Sequence, residues 1–472
     1  MEQVLKEFAS LNRIPRPSKH EEAVAEYLVE RSKELGYHGV RDHANNVIIE
    51  VPATLGYEDA PFVIVQAHSD MVCVSEDPDY DPLSDPIITV NDGKTLRAKN
   101  SSLGADDGIG VAMILAMLQT GAPHGPLRVI FTADEESGMS GAMGLEDKYT
   151  EGDYLINLDW EEEGSLCIGC AGSLAVTYEK LCHFQKVEGL GYEISLSGLR
   201  GGHSGVEIVE HRPNAIAVIG RFLKQLVEEQ VDFSLVSVDG GQAHNVICPD
   251  GKAILVVERP SEERFMECFR KFLSHFESEF GDSEKEFLFV CKEMEELSQG
   301  YSKEDSEAIA LFLGQCPQGV ISMSRALEGF VELSNNLGVI SSDENGVKME
   351  VLYRANDSGQ MKDLAGQTAR LAESYGWTAV VESENPSWPS KLPSAILDLA
   401  EKIYRRQTGK EVRVESIHAG LECGYFAGKN PKLDILSMGP TITDAHSVRE
   451  ALDLNTLKPT MDLFLELLAS LR

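Results

Sequence analysis

The first 177 residues alternate apolar runs of two lengths. Residues 1–36 read as helix, with "HEEAVAEYLVERSKELG" stopped by Gly36. "NVIIEVPA" reads as a strand. "PFVIVQAHSDMV" is so continuously apolar that a sheet must bury it on both faces. "GIGVAMILAMLQTG" has the length of a buried helix, and "PLRVIFTADEE" and "DYLINLDWEEEG" read as two more buried strands. This alternation predicts an α/β domain, a central mixed sheet flanked by helices.

The rhythm changes near residue 177. "GYEISLSGL" reads as a strand, "RPNAIAVIGRFLKQLVEE" as a helix, "FSLVSVDGG" and "KAILVVERP" as strands, and "SEERFMECFRKFLSHFESEF" as a helix. "KEFLFVCKEME", "SKEDSEAIALFLGQCP", "GFVELSNNLGVIS", "VKMEVLYRAN" and "SGQMKDLAGQTARLAESYG" repeat that order. The reading is an inserted α+β domain of two half-repeats, residues 178–383. From "NPSWPSKLPS" onward the α/β rhythm returns, so the first domain is expected to be discontinuous, 1–177 plus 384–472.

Composition narrows the partners. A chain of 472 residues suits two domains, and 42% hydrophobic with 25% charged residues is the balance of a soluble globular protein. The net charge is −35. So acidic a surface repels phosphate backbones and anionic bilayers, which argues against nucleic acid and membranes as partners. No stretch approaches the roughly 20 apolar residues of a membrane span. "MEQVLKEFASLNRIPRPS" has neither the apolar core nor the cleavage site of a signal peptide, and nine cysteines is an odd count for a disulfide scaffold. A cytoplasmic location is expected.

Candidate chemistry lies where the apolar strands end. "AHSDMV" carries His68 and Asp70; "SSLGADDGIGVA" carries Asp106 and Asp107 just before a helix; "FTADEESGMSGA" carries Glu135 and Glu136; "LINLDWEEEG" carries Asp159; and "GPTITDAHSVREALDL" carries His446. Each has an ordinary explanation when taken alone: a core histidine, a helix-capping acid, a solvated turn. Glu161, Glu162 and Glu163 are assigned to such a turn. Recurrence changes the balance. Ligands of α/β sheets bind beyond the carboxyl ends of the strands. Carboxylates gathered there repel one another unless a cation offsets them. Imidazole with carboxylates suits a hard-to-borderline divalent metal. Asp70, two residues beyond His68, falls on the same strand face.

"AHSDMV", "LGADDGIG", "TADEESGMSGA", "GGHSG" and "DAHS" resemble the zinc-dependent family of glutamate carboxypeptidases, aminoacylases and dipeptidases. "GCAGS", "SGLRGGHSGVEI" and "IHAGLECGYF" narrow the resemblance to its aminoacyl-histidine dipeptidase branch. It extends over the whole chain and implies a di-zinc catalytic domain with an inserted lid. Two Zn²⁺ per subunit are implied, with Mn²⁺ or Co²⁺ as alternatives. In the family pattern Asp106 bridges the metals, His68 and Asp159 complete one site, and Glu136 and His446 complete the other. Glu135 is then the general base acting on a hydroxide between the metals, and Asp70 orients His68. A cis peptide often follows the bridging acid, here Asp106–Asp107.

The resemblance also assigns residues to the substrate. His203 in "LRGGHSGVEI" would stabilise the oxyanion. Asn245 in "GGQAHNVI" would contact substrate, although Cys248 replaces the proline that often follows, and Asn336 is its rival. Arg354 in "EVLYRAND" would grip the free carboxylate, a surface arginine being the competing reading. The loop holding His418, Gly420 and Glu422 would lie near that carboxylate. The implied activity is hydrolysis of dipeptides by a homodimer, with broad specificity that includes Xaa-His and β-alanyl-histidine. The rival readings are an aminoacylase or carboxypeptidase, an aminotripeptidase, and a non-catalytic peptide-binding relative. Asp159, where acylases tend to carry Glu, and the long duplicated lid weigh toward dipeptidases; the retained Glu135 weighs against a binding protein.

Overall fold

The computed structural model describes every residue except 296, 326 and 328. The chain divides into two compact units. The first comprises Met1–Gly169, Trp388–Ser416 and Leu421–Arg472; the second comprises Cys170–Ser387 and Ile417–Gly420. Each has its own apolar core.

The first unit is built on an eight-stranded sheet. Its order is Gly39–Arg41, Val47–Val51, Leu127–Thr132, Val63–His68, Tyr154–Asn157, Asp434–Ser437, Ser165–Cys170 and Arg413–Ile417. The four strands from Leu127–Thr132 to Asp434–Ser437 run parallel, with His68 level with Thr132 and Gln66 level with Asn157. Every residue of Val63–His68 is buried, as its unbroken apolar sequence requires. Helix Ala105–Thr120 is buried from Ala105 through Leu118, which is why it carries no polar stripe. Parallel strands deliver their carboxyl ends to one edge, and that edge receives His68, the 134–136 turn and Asp159. The N-terminal segment departs from expectation. It forms two helices, Glu2–Leu11 and Glu22–Glu34, because Pro15 and Pro17 interrupt the backbone ladder between them.

The second unit is a nine-stranded sheet. Along its main path the order is Leu288–Glu293, Leu190–Ser197, Gly251–Val257, Phe233–Gly240, Val331–Asp343, Gly346–Ala355, Gly172–Leu181 and Thr378–Asn385, with Gly319–Met323 paired to Val331–Asp343. Two strand–helix–strand–strand–helix–strand halves meet where Gly240 faces Ile340. Their boundaries differ from the sequence reading. Leu288–Glu293 pairs with Leu190–Ser197, so it ends the first half instead of starting the second. The second half begins with Gly172–Leu181, which pairs along its length with both Gly346–Ala355 and Thr378–Asn385. A domain boundary at 177 would cut that strand, and one at 384 would cut its neighbour. The first half is thus nested inside the second. Residues 417–420, read as part of the first domain, group with the second unit. Cys167 and Cys170 share one strand at odd spacing, so they face opposite sides, and no disulfide joins any of the nine cysteines among the described residues.

Candidate metal centre

Asp106 is the centre of the strand-end cluster. Its Oδ1 lies 3.0 Å from His68 Nε2 and its Oδ2 lies 2.9 Å from His446 Nε2. His68 Nε2 also stands 3.5 Å from Asp159 Oδ1, and His446 Nε2 stands 2.9 Å from Glu136 Oε2. The groups His68–Asp106–Asp159 and Asp106–Glu136–His446 each offer three ligand atoms within 4.8 Å of one another, and Asp106 belongs to both. Glu135 joins His68 and Glu136 in a third such group. These six residues come from five separate chain segments, and the Asp106–Asp107 peptide is cis.

The segments are held by residues that do not belong to these groups. Gly104, at φ 66°, is packed so closely against Arg16 and Met71 that a Cβ there would come within 2.5 Å of both. Glu450, four residues beyond His446, accepts the amide N–H groups of Leu103 (2.7 Å), Gly104 (2.9 Å), Ala105 (2.7 Å) and Asp106 (3.3 Å). Arg16 is almost fully buried and donates to the carbonyls of Ser69 (3.2 Å), Asp70 (2.9 Å) and Gly104 (2.6 Å). Asp70 accepts the amides of Glu135 (3.0 Å) and Glu136 (3.2 Å) and the Ser18 hydroxyl (2.7 Å), with its Oδ1 3.4 Å from His68 Nδ1. Asp134, in the left-handed region at φ 57°, accepts the hydroxyls of Ser137 and Ser140 and so shapes the turn that presents Glu135 and Glu136.

The electrostatics follow from crowding. Burial, aided by Asp106 and Glu136, pushes Asp159 up to about 7 against the pull of His68. Burial with Asp159, Glu136 and Glu422 raises Glu135 well above the carboxylate range, and burial raises Glu136. Asp106 goes the other way: hydrogen bonds from His446 and His68 outweigh its burial. The bonds to Asp106 and Glu136 carry His446 up to about 11. Protons are being shared because the acids outnumber the positive charge. Glu136 Oε1 is buried without a hydrogen-bond partner. The donor chemistry, the shared carboxylate and this orphaned oxygen fit two divalent cations.

The five residues assigned to substrate all lie in the second unit. His203 pairs with Val246, and the Asn245 carbonyl accepts the Ser204 amide (2.9 Å), so the two candidates are neighbours. His203 Nδ1 accepts the amides of Gly205 and Val206, each at 3.2 Å. The ring proton therefore sits on Nε2. Burial and then Arg354 lower the His203 pKa, keeping the ring neutral. Arg354 is buried, its Nε has no partner, and no acid pairs with it among the described residues; burial alone pulls it down to about 10. It is not a surface arginine. His418 is buried against Ser334 Oγ (2.7 Å), and Gly420 follows it half-buried. Asn336 is used up internally: it donates to the carbonyls of His244 (3.0 Å) and Val246 (2.7 Å) and accepts from Asn214 (3.2 Å). It supports the Asn245 loop.

Several residues escaped the sequence reading. Glu450 and Arg16 gave no signal, since a lone polar residue in a loop has no periodicity to break. Glu161 was placed in a solvated turn, but it is half-buried, and burial with Asp106 and Asp159 pushes it up to about 8. Glu162 is exposed and pairs with Arg413 at 2.5 Å. Gln66 did leave a signal: an amide inside a strand buried on both faces must be hydrogen-bonded. It donates to Glu422 (2.7 Å) and Thr132 (3.0 Å) and accepts from Asn157 (2.6 Å).

Comparison with known proteins gives consistent matches. The family described as Peptidase family M20/M25/M40 matches residues 64–470. A cytosol non-specific dipeptidase of Escherichia coli (strain K12) is 36% identical over 468 residues, covering 98% of this chain and 96% of that protein. The crystal structure of an aminoacylhistidine dipeptidase from Vibrio alginolyticus has a TM-score of 0.93 at 35% identity, covering 100% of this chain and 96% of that one. The aminopeptidase PepT of Bacillus cereus ATCC 10987 shares the fold, with a TM-score of 0.58 at 15% identity over 99% of this chain and 98% of that one. Among the described residues, no helix is long and apolar enough to cross a membrane.

Proposed function

The chain belongs to peptidase family M20/M25/M40, and from that premise we propose that it is a metal-dependent dipeptidase of broad specificity, Xaa-His and β-alanyl-histidine included. The observation that carries the reading is the Asp106 carboxylate, whose two oxygens are divided between His68 and His446. His68, Asp106 and Asp159 would hold one divalent cation, and Asp106, Glu136 and His446 the other, with Zn²⁺ first and Mn²⁺ or Co²⁺ as alternatives. When bound, such a pair supplies Lewis acidity and lowers the pKa of water.

The protein side chains do the rest. Glu135 takes the proton from the attacking water and passes it to the leaving amine. Asp70 fixes the turn through the Glu135 and Glu136 amides and faces His68 Nδ1. His203 donates its Nε2 proton to the developing oxyanion; a neutral donor does this without a competing counter-ion. Arg354 takes the substrate's free carboxylate. A buried guanidinium lacking an acid needs an anion, and a carboxylate fits its fork bidentately. Asn245, His418 and Gly420 complete the peptide contacts. A cytoplasmic homodimer is the proposed working form.

The test is a dipeptide panel assayed before and after chelation, with Glu135→Gln as control. Hydrolysis should vanish on chelation and return with metal. Glu135→Gln should bind two metals yet lose roughly 100- to 10,000-fold in kcat. Native turnover by that variant would remove Glu135 from its role, and chelator-resistant hydrolysis would remove the metals from theirs.

A further inference from the structure

Around His203 the second unit holds a series of charges that the hydrolytic reading leaves unused. Arg212 stands at its centre. Its Nη2 lies 2.7 Å from Glu207 Oε1 and 2.9 Å from Glu210 Oε2, its Nε donates to Glu210 Oε2 (3.0 Å), and its Nη1 donates to the Gly201 carbonyl (2.6 Å). Glu210 leads on to Arg200 Nη1 (3.5 Å), and Arg200 donates through its main-chain amide (2.8 Å) and its Nε (3.2 Å) to Glu284, which is buried. Isolated ion pairs at a surface add little. This series differs, because one end is buried and the other end reaches backbone. The second oxygen of Glu207, Oε2, accepts the main-chain N–H of His203 at 2.6 Å.

That contact closes a short loop on itself. The Glu207 amide donates back to the His203 carbonyl (3.2 Å), and between the two the amides of Gly205 and Val206 donate to His203 Nδ1 (3.2 Å each). The amides that fix the ring's tautomer thus lie between the loop's anchor points, so ring and loop are positioned together. The closure demands both glycines. A Cβ on Gly202, whose φ is 128°, would come within 2.6 Å of both Arg212 and Glu207, and one on Gly205 would fall 2.6 Å from the His418 carbonyl oxygen. Glu207 is not a counter-ion to the ring: burial and Arg354 outweigh its pull, and the His203 pKa is lowered. Its charge acts on the backbone. The His203 amide, with Arg212, holds the Glu207 carboxyl below the usual carboxylate range, and an ionised acceptor makes the stronger hydrogen bond.

We propose that Glu207 is a positioning residue of the hydrolytic reaction: clamped by Arg212, it holds the His203 main chain so that the neutral ring presents Nε2–H to the oxyanion. The loop's own contacts support the clamp, and its consequence for turnover rests on the dipeptidase reading.

The experiment compares Glu207→Ala and Glu207→Gln in the full metal-loaded protein, alone and combined with His203→Ala. His203→Ala should lower kcat about 100- to 1,000-fold, as the loss of one oxyanion donor does. Glu207→Ala should lower kcat about 10- to 100-fold through misplacement, with KM nearly unchanged, and Gln, which keeps an acceptor for the His203 amide, should stay within about threefold. In the His203→Ala background Glu207→Ala should cause no further loss, because the residue acts through the ring. A full additional loss there, or a Gln variant as impaired as Ala, overturns the proposal. Hydrogen exchange read by mass spectrometry needs no substrate. Glu207→Ala should speed exchange in the peptide holding residues 203–206 and leave the rest of the second unit unchanged; native exchange in that peptide also overturns the proposal. Where Ala fails to fold, Glu207→Asp, a methylene too short to reach the amide, carries the same expectations. The exchange result stands even where no dipeptide is cleaved, an outcome that would sink the dipeptidase reading separately.

Discussion

Asp106 does not place its own carboxylate. Four consecutive amides, from Leu103 to Asp106, point at Glu450, and Arg16 grips the Gly104 carbonyl from the other side. Glu450→Ala should therefore weaken metal binding about 10- to 100-fold, read by titration against a chelating indicator, with Glu450→Gln intermediate because it keeps one acceptor. Arg354 carries the opposite kind of prediction. Its buried guanidinium has no acid partner among the described residues, so Arg354→Met should leave the melting temperature unchanged or raise it. The same change should raise KM for dipeptides about 10- to 100-fold, the worth of roughly 1.5–3 kcal/mol for hydrogen bonds to a charged group. The strand-end acids and histidines were legible in the sequence because such side chains stand out against apolar strands. Glu450 and Arg16 were not, because their partners are backbone atoms that no side-chain pattern encodes.

The strands hold one another's ends in place through backbone as well as side chains. Beyond strand Asp434–Ser437, a Cβ on Gly439 would fall 1.8 Å from the Trp160 carbonyl oxygen and 3.2 Å from that of Leu158. Both flank Asp159, and neither can rotate away as a side chain could. Gly439→Ala should push the 158–160 segment outward and cost the site that contains Asp159. Metal analysis should then find about one tightly bound ion per chain in place of the two proposed for the native protein, with a lower melting temperature. Two tight ions at native affinity would show that the segment yields. Strand existence was readable from continuous apolar runs such as Val63–His68. Strand partnership was not: nothing in the sequence of Gly172–Leu181 says which sheet it joins, and only its pairing with Gly346–Ala355 reveals it. Thr378–Asn385 escaped notice because it lies at an edge with nearly every side chain exposed, leaving no alternation to see.

For the whole molecule, acid stability is the accessible quantity. Burial and then Arg354 press the His418 pKa from 6.5 down to about 3. Between those values the unfolded chain binds a proton that the folded chain refuses. Unfolding therefore takes up protons, and stability falls as the pH drops from about 6.5 towards 3, at up to about 1.4 kcal/mol per pH unit for this one group. His418→Gln should flatten that part of the profile in urea titrations of the apo-protein; an unchanged slope would show that His418 ionises freely. The α/β class and the presence of an insertion were legible from rhythm, but the nesting was not, since it is a property of which strands pair. That nesting orders events on the ribosome. Residues 190–293 are synthesised as one uninterrupted stretch and hold all four strands and both helices of their half, so they can close while later codons are still being read. The surrounding half must keep Gly172–Leu181 waiting for Gly346–Ala355, and the sheet bearing the proposed metal ligands must wait longer still, for Asp434–Ser437. The nascent chain thus matures from its middle outward, and the proposed metal ligands assemble last.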